Sequence, residues 1–383
     1  MKITDLIKNK DKLLLILALA VLAGALLRFG TTKNVIHAKI PRIVFTQWWE
    51  DYLEKDTLQK LINEFEETHK GIEVVLSSVS YEDLEKGLFG SGGTKNEQML
   101  SGDLIALDML WVPELLKNET IEGEWAENPL QNCFDAPLLS FINVLYYNID
   151  SLREAGFSRP PKDRSEFIIY ARALTDKEKD HWGLAMGLNS SQGIYNDIFP
   201  WIWSAGASLI KDGKPELSSR PVIESLSFLS TLKNEGLITP NALFTGDENK
   251  LEDFISRKAA FMIAPASDIE YVRKRMGDEA FGITSVPIPD NYTGKIYNAT
   301  LGWTLGINKT SVYKKEAELL ANFLAVKLSE RAVSMQVNSS RDPFFSKVWD
   351  ITITGENAQD FKGLPWNELA EVFREEFSFL YAE

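Results

Sequence analysis

The sequence predicts an α/β protein, and three observations carry that prediction. Short β-branched and apolar runs alternate with segments of helical period, and the earliest of them follow a strand–helix–strand order. The third observation is that 44% of the 383 residues are apolar, enough for a sizeable core and for two lobes rather than one.

The elements follow in order. "RIVFT" from Arg42 reads as a strand, and Leu58, Leu61, Ile62 and Phe65 then fall at i, i+3, i+4 and i+7 on one helix face that Gly71 closes. "IEVVLSSV" is the next strand, Ser80 with Asp83 resembles a capping box opening a short helix, and "DLIALDML" is a third strand. This order implies a parallel sheet with helices on its faces. The glycines of "FGSGGTKNEQMLS" lack the spacing and the Lys-Ser/Thr of a phosphate loop, so that stretch reads as a flexible connection. In the second half Ser165 to Leu174 is helical, "WGLAMG" is a strand, and "NDIFPWIWSAG" is a helix interrupted or begun near Pro200. Pro221 suits the first turn of a long helix that turns Val222, Leu226 and Leu229 inward. Leu251, Phe254 and Ile255 mark a helix before the strand "AAFMIA", and "FGITSVPIP" is a further strand. "GWTLGIN" is a strand, and a helix ending near Leu328 carries Ala317, Leu320, Phe323 and Leu324 on one side. The remainder is mostly helical around a polar loop, "NSSRDP".

Composition excludes several classes. Formal charge is −14 with Lys and Arg scattered among acids, which denies nucleic acid the basic footprint that its phosphates need. A single cysteine, Cys133, and three histidines leave no material for a disulfide framework or a Cys/His metal site, and no cofactor or metal is expected. Cys133 itself reads as a small buried hydrophobe.

Lys2, Lys8, Lys10 and Lys12 precede the apolar run Leu13 to Leu27, which stops at Arg28. Residues 1–28 are therefore a signal peptide, with Ala23-Gly24-Ala25 as a small-x-small cleavage site, or an uncleaved membrane anchor. Residues 29–41 read as a linker. Either reading places the remainder outside the cytoplasm.

Six segments, in order, resemble the extracellular solute-binding proteins of ABC importers, the group that includes maltose-binding protein. They are "IVFTQWW", "DLIALDMLWVPEL", "NVLYYNIDSLREAGFSRPPKDRSEF", "PWIWSAG", "LEDFISRKAAFMI" and "LGWTLGINKTSVYKKEAELLANFL", spread over residues 42 to 340. The resemblance implies a two-lobed periplasmic-binding-protein fold of type II with a ligand cleft between the lobes. It implies a first lobe of residues 42–137 plus 286–330 and a second of 138–285 plus 331–383. It further implies a monomer that closes on a sugar and delivers it to membrane permease subunits. Many members of this family carry a lipid-modified cysteine after the signal, and this chain has none there.

A sugar exposes hydroxyls on its rim and C–H groups on its faces, so its site needs flat aromatic rings beside hydrogen-bonding acids, amides or arginines. Trp48 and Trp49 directly follow a strand, where ligands of α/β sheets sit, with one of the pair expected to cap the core instead. Asp108 and Trp111 end a second strand, and Asp108 is either a bidentate acceptor of sugar hydroxyls or a helix N-cap. Trp201 and Trp203, two apart on a helix, cannot face the same way. By resemblance Trp303 is the ligand-facing tryptophan of a "GGW" motif, although Leu301 replaces its first glycine. Arg341 lies in a loop where the family often places a contact, and otherwise reads as a surface arginine. Tyr146 and Tyr147 of "LYYN" are structural in the family. Rival readings are a secreted glycoside hydrolase, for which the adjacent Glu50 and Asp51 are poorly disposed if the segment is extended, and the same fold binding a polyamine or a glycerol phosphodiester.

Overall fold

A computed structural model describes residues 40–53, 55–89, 102–123, 139–189, 193–211, 214–240, 242, 244–299, 301–338, 342–358, and 369, 370, 372, 373, 375 and 377. The expectations for residues 1–39, for Cys133 and for Arg341 lie outside the described residues. Contacts divide the chain into Met1–Ile40, of which only Ile40 is described, and Pro41–Glu383. No helix among the described residues is long and apolar enough to cross a membrane.

Strand β1 (Arg42–Gln47) pairs in parallel with β2 (Glu73–Ser78), and a parallel pair needs a crossover. Helix α1 (Thr57–Thr68) supplies it, with Leu58, Ile62 and Phe65 buried and Leu61 half-buried. Gly71, at φ +102°, lies beyond the helix end and turns the chain into β2. The Ser80 hydroxyl accepts from the Asp83 N–H at 3.1 Å and opens α2 (Tyr81–Phe89). Strand β3 (Leu104–Asp108), buried throughout, lies parallel on the other side of β1, and α3 (Val112–Lys117) follows it.

Strands β4 (Leu139–Phe141) and β5 (Asn143–Asn148) are separated by Ile142 alone, yet they enter different sheets. Helix α4 (Ile149–Glu154) is capped by Asn148 and α5 (Arg164–Leu174) by Asp163, whose carboxylate accepts from the Glu166 N–H at 2.9 Å. After β6 (Trp182–Ala185) a π turn over Ile194–Ile198 runs into α6 (Phe199–Trp203), with Pro200 in the first turn. The hairpin β7 (Ile210–Lys211) and β8 (Lys214–Pro215) leads to α7 (Arg220–Asn234), which buries Val222, Phe228, Leu229 and Leu232 and leaves Leu226 half-buried. Next come α8 (Asp247–Ile255), β9 (Ala259–Pro265), α9 (Ile269–Met276) and β10 (Phe281–Thr284). The chain continues through β11 (Tyr297–Ala299), β12 (Leu301–Ile307), α10 (Lys314–Asn338), α11 (Pro343–Thr354) and β13 (Glu356–Ala358). Helix α10 runs past Leu328, where the sequence reading ended it.

The first sheet has the order β2-β1-β3-β12-β4 and the second β10-β5-β9-β6. Strand β12 lies antiparallel to β3, so the all-parallel expectation fails there. The reason is connectivity: β12 arrives from the second sheet and not through a helical crossover. In β9, Phe261 and Ile263 pack on one face and Met262 and Ala264 on the other, so the second sheet is covered on both sides.

One glycine sets how closely a helix meets this sheet. A Cβ added at Gly183 of β6 would lie 2.7 Å from the Cβ and 2.8 Å from the Cα of Ala171 on α5. Gly183→Ala should therefore destabilise the chain by about 1–3 kcal/mol, measured as a lower urea midpoint at unchanged slope. An unchanged midpoint would show that α5 can move away freely.

Candidate functional site

The carboxyl ends of β1, β2 and β9 supply walls of one cavity, the place where open α/β sheets hold ligands. Strand β1 ends at Gln47. The next residues turn at once, because Trp49–Asp51 forms a 3₁₀ turn with Trp48 before it. This turn, and not an extended segment, separates the two tryptophans. The Trp49 ring is fully buried, stacked on Trp303 at 5.6 Å and 11° and set edge-on to Phe45 at 6.0 Å. Trp48 faces the other way and is the hub of an aromatic cluster. Its ring lies 5.2 Å from Tyr81, 5.4 Å from Trp111 and 5.8 Å from Trp303, the first at 90° between planes.

The cavity has two adjoining chambers whose walls share Trp48, Tyr52, Tyr81, Glu248 and Leu251. The outer one has a volume of about 420 Å³, within the usual range for small-molecule sites, and reaches Ser78, Ser80, Glu252 and Tyr271. The inner one, about 50 Å³, is completed by Trp303 and Glu82 from the first-sheet side and by Asn196, Asp247, Pro265, Ser267 and Asp268 from the second. Tyr52 stacks on Tyr271 at 5.9 Å, and Lys274 of α9 donates to the Leu53 carbonyl at 2.9 Å, so elements of both sheets meet around the chambers.

Carboxylates dominate the electrostatics. Asp108, opposite Trp303 in the ladder, accepts from the Leu110 N–H at 2.9 Å and from the Tyr81 hydroxyl at 3.2 Å. It thus stands behind the Tyr81 ring and closes a turn. Trp111, not Asp108, occupies the N-cap position of α3. Burial pushes Asp108 up to about 7, against the pull of its two hydrogen bonds. Asp268 is also pushed up to about 7, by burial and by Asp247, while Lys250 and the Ser267 hydroxyl oppose the rise. Lys250 is fully buried, 3.2 Å from both carboxylate oxygens of Asp197 and paired with Asp247. Burial works against its ammonium, but the two aspartates outweigh it and raise the lysine above its ordinary range.

The structure brings together Trp48, Trp49, Asp108, Trp111 and Trp303, of which Trp48 and Trp303 line a chamber. It does not bring Trp201 and Trp203 to the cavity. Trp201 packs against Phe167 at 5.0 Å and Phe228 at 4.9 Å, and Trp203 against Tyr195 at 5.2 Å and Phe199 at 5.6 Å, because α6 lies between α7 and the π turn. Tyr146 is buried and donates to the Pro265 carbonyl at 2.7 Å. Sequence reasoning did not single out Tyr52, Tyr81, Glu82, Asn196, Asp247, Glu248 or Asp268. The available signal was position: Tyr81 opens a helix directly after β2, and Asp268 follows β9 just as Trp48 follows β1. Among the described residues no group of three or more His, Cys, Asp or Glu could hold a metal ion.

Comparison with known proteins adds the following. A family model described as bacterial extracellular solute-binding protein matches residues 52–327. A probable ABC transporter-binding protein of Deinococcus radiodurans is 25% identical over 283 residues. That match takes in 68% of this chain and 65% of the relative, just under two thirds of the relative's length. A solute-binding protein of Thermotoga lettingae bound to α-D-tagatose superposes with TM-score 0.72 at 18% identity, over 89% of this chain and 94% of that one. One of Agrobacterium radiobacter in complex with ribitol gives 0.68 at 18%, with the same coverage. The sugar-binding protein MalE of Xanthomonas citri gives 0.61 at 18%, over 88% and 92%. These are two-lobed α/β proteins, and the fold here is theirs.

The raised carboxyls carry a stability consequence. Asp108 and Asp268 each move from 3.8 unfolded to about 7 folded, so the folded chain holds those protons more tightly. Their contribution is full below the unfolded value and is lost as pH rises through about 7. Asp108→Asn and Asp268→Asn should therefore gain thermal stability relative to the parent as pH rises from about 5 to about 8 in calorimetry. A difference independent of pH would contradict the shifts.

Proposed function

This chain belongs to the bacterial extracellular solute-binding proteins, and on that premise we propose that it is the extracytoplasmic substrate-binding component of an ABC importer. It holds a carbohydrate or sugar derivative between two lobes, closes over it and delivers it to a membrane permease as a monomer. The observation that carries this reading is the cavity, in which the rings of Trp48, Tyr52, Tyr81 and Trp303 stand beside the acceptors Glu82, Asp247, Glu248 and Asp268. Flat apolar walls with acceptors between them match the faces and rims of a polyhydroxylated solute, which the tagatose and ribitol of the two relatives also are.

The sequence reading divides the lobes as 42–137 plus 286–330 and 138–285 plus 331–383; we place the first crossing beside Ile142, where β4 gives way to β5, and the return between Ala299 and Leu301, since Ile288 to Ala299 pair with second-sheet elements. Residues 1–28 act as export signal or anchor. Closure is favoured by contacts that the ligand makes with both lobes at once, and no bond is broken. A glycerol phosphodiester suits the cavity poorly, since no Lys or Arg lines either chamber among the described residues. Glu50, one of the adjacent acids weighed for the hydrolase reading, accepts from the Ser78 hydroxyl at 2.7 Å and does not line a chamber.

Trp48→Ala should weaken sugar binding about tenfold or more, a loss of about 1.4 kcal/mol, and Trp303→Ala by a similar factor. Calorimetry across a sugar panel measures both effects, and thermal unfolding checks that each variant folds. Parent-like affinity in both folded variants would remove the site, and release of reducing sugar by the pure protein would remove the transport reading.

A further inference from the structure

We propose that the solute of this cavity carries a protonated amine, which the carboxylate side of the inner chamber reads. This deepens the reading above and rests on it.

The first observation is charge. Glu82, Asp247, Glu248 and Asp268 line the inner chamber and Glu252 the outer, and no Lys, Arg or His lines either among the described residues. The nearby cations already pair with some of these carboxylates, Arg275 with Glu252 at 2.8 Å among them, and none of them lines a chamber. Lys250 lies between Asp197 and Asp247, with hydrogen bonds of 3.2 Å to both Asp197 oxygens, and Lys86 reaches Glu82 at 3.5 Å from an exposed position. Two aspartates, Asp197 and Asp247, pair with the one ammonium of Lys250.

The second observation is independent of charge. Asn196 is 1% exposed and lines the inner chamber, and its Oδ1 has no hydrogen-bond partner among the described residues. Its Nδ2 donates to Asp247 at 3.5 Å, which leaves the carbonyl oxygen as the group in need of a donor. An unsatisfied buried acceptor among carboxylates calls for a ligand group rich in N–H and free of lone pairs. An alkylammonium has three donors and no acceptor, whereas a hydroxyl brings one donor together with lone pairs that the carboxylates repel.

The third observation is the aromatic wall. Trp48, Tyr52, Tyr81 and Trp303 line the inner chamber together with the carboxylates. An indole face opposite carboxylates is a favourable seat for a cation. Burial also pushes Asp268 up to about 7, so a proton is held where a bound ammonium would bring its own charge.

The test is calorimetry on the full chain at neutral pH with matched probes: D-glucosamine against D-glucose, and putrescine and spermidine as linear amines. Glucosamine or a linear amine should bind about 100-fold more tightly than glucose or maltose, and its affinity should fall with added salt. Tight glucosamine with weak putrescine and spermidine assigns an amino sugar, and the reverse assigns a linear polyamine. Asp268→Asn should cut amine affinity about tenfold or more, and by a larger factor than it changes any neutral-sugar affinity, with thermal unfolding confirming the fold. Glucose or maltose binding as tightly as the amines overturns the inference and leaves the solute-binding reading standing. Absence of any amine binding overturns it as well.

Discussion

The stack of Trp49 on Trp303, 5.6 Å apart and 11° from parallel, is the contact on which the cavity depends. It ties the turn after β1 to β12, a strand that enters the first sheet from the second. A 3₁₀ turn sends neighbouring side chains in different directions, so while Trp49 is fully buried, Trp48, 4% exposed, reaches the chamber wall. Trp48 is then held edge-on to Trp49 at 6.0 Å and 76°, and the rings of Tyr81, Trp111 and Trp303 meet it in turn. Each such pair contributes about 0.5–1.5 kcal/mol beyond the area it buries, so the wall is stiff before any ligand arrives. A preformed aromatic wall spares a ligand the cost of ordering it.

The opposite wall is built by charge rather than by rings. The π turn over Ile194–Ile198 adds a residue to the helical phase, which places Asn196 at the chamber and turns Asp197 inward. Asp197 there accepts from the Gly187 N–H at 2.9 Å and faces Lys250, which is fully buried. A buried lysine is tolerated only when paired, and the pairing holds α8 against the turn, with Asp247 at the start of the same helix completing it. The chamber is therefore electronegative by construction. One lysine balances part of the aspartate charge and has no donor left to offer a ligand.

Much of this order was legible in the sequence, and the rest was hidden for physical reasons. Strand ends and helix faces follow period and punctuation, and those signals located β1, α1, β2, β9 and β12 within a few residues. The double tryptophan was legible because large rings directly after a strand have few other places to go. Trp201 and Trp203 show the limit of that argument: a ring in a helix between two other helices is drawn to the core by the same apolar surface that would suit a sugar. Asn196 and Asp247 gave no signal, since an acid or amide in a helical turn looks the same whether it faces solvent or a cavity. The antiparallel entry of β12 was equally silent, because period does not report strand direction.

The same connectivity says where the two sheets can move relative to each other. The chain after β10 stays fastened to the second sheet's helices: the Arg164 N–H donates to the Ile288 carbonyl at 3.0 Å, and the Ser165 N–H donates to Asp290 at 3.0 Å. Further on, β11 pairs with β13, Asn298 donates to the Ile351 carbonyl of α11 at 2.9 Å, and α11 stacks Phe344 on Phe281 of β10 at 4.6 Å. The attachment to second-sheet elements therefore persists through Ala299, and the attachment to the first sheet begins at Leu301. In the other crossing the change takes place at Ile142. These two points are neighbours in space, since Leu301 pairs with Phe141 in the β4–β12 ladder. A rotation of one sheet against the other would pass through that pair, because both strands leave one set of neighbours for the other there; the chain crosses once more between α10, which packs on the first sheet, and α11, which packs on β10. The inner chamber borders the Leu301–Phe141 pair, since Trp303 stands two residues from Leu301 and Pro265 pairs with Asn143, so a rotation there moves the two walls of the cavity relative to each other.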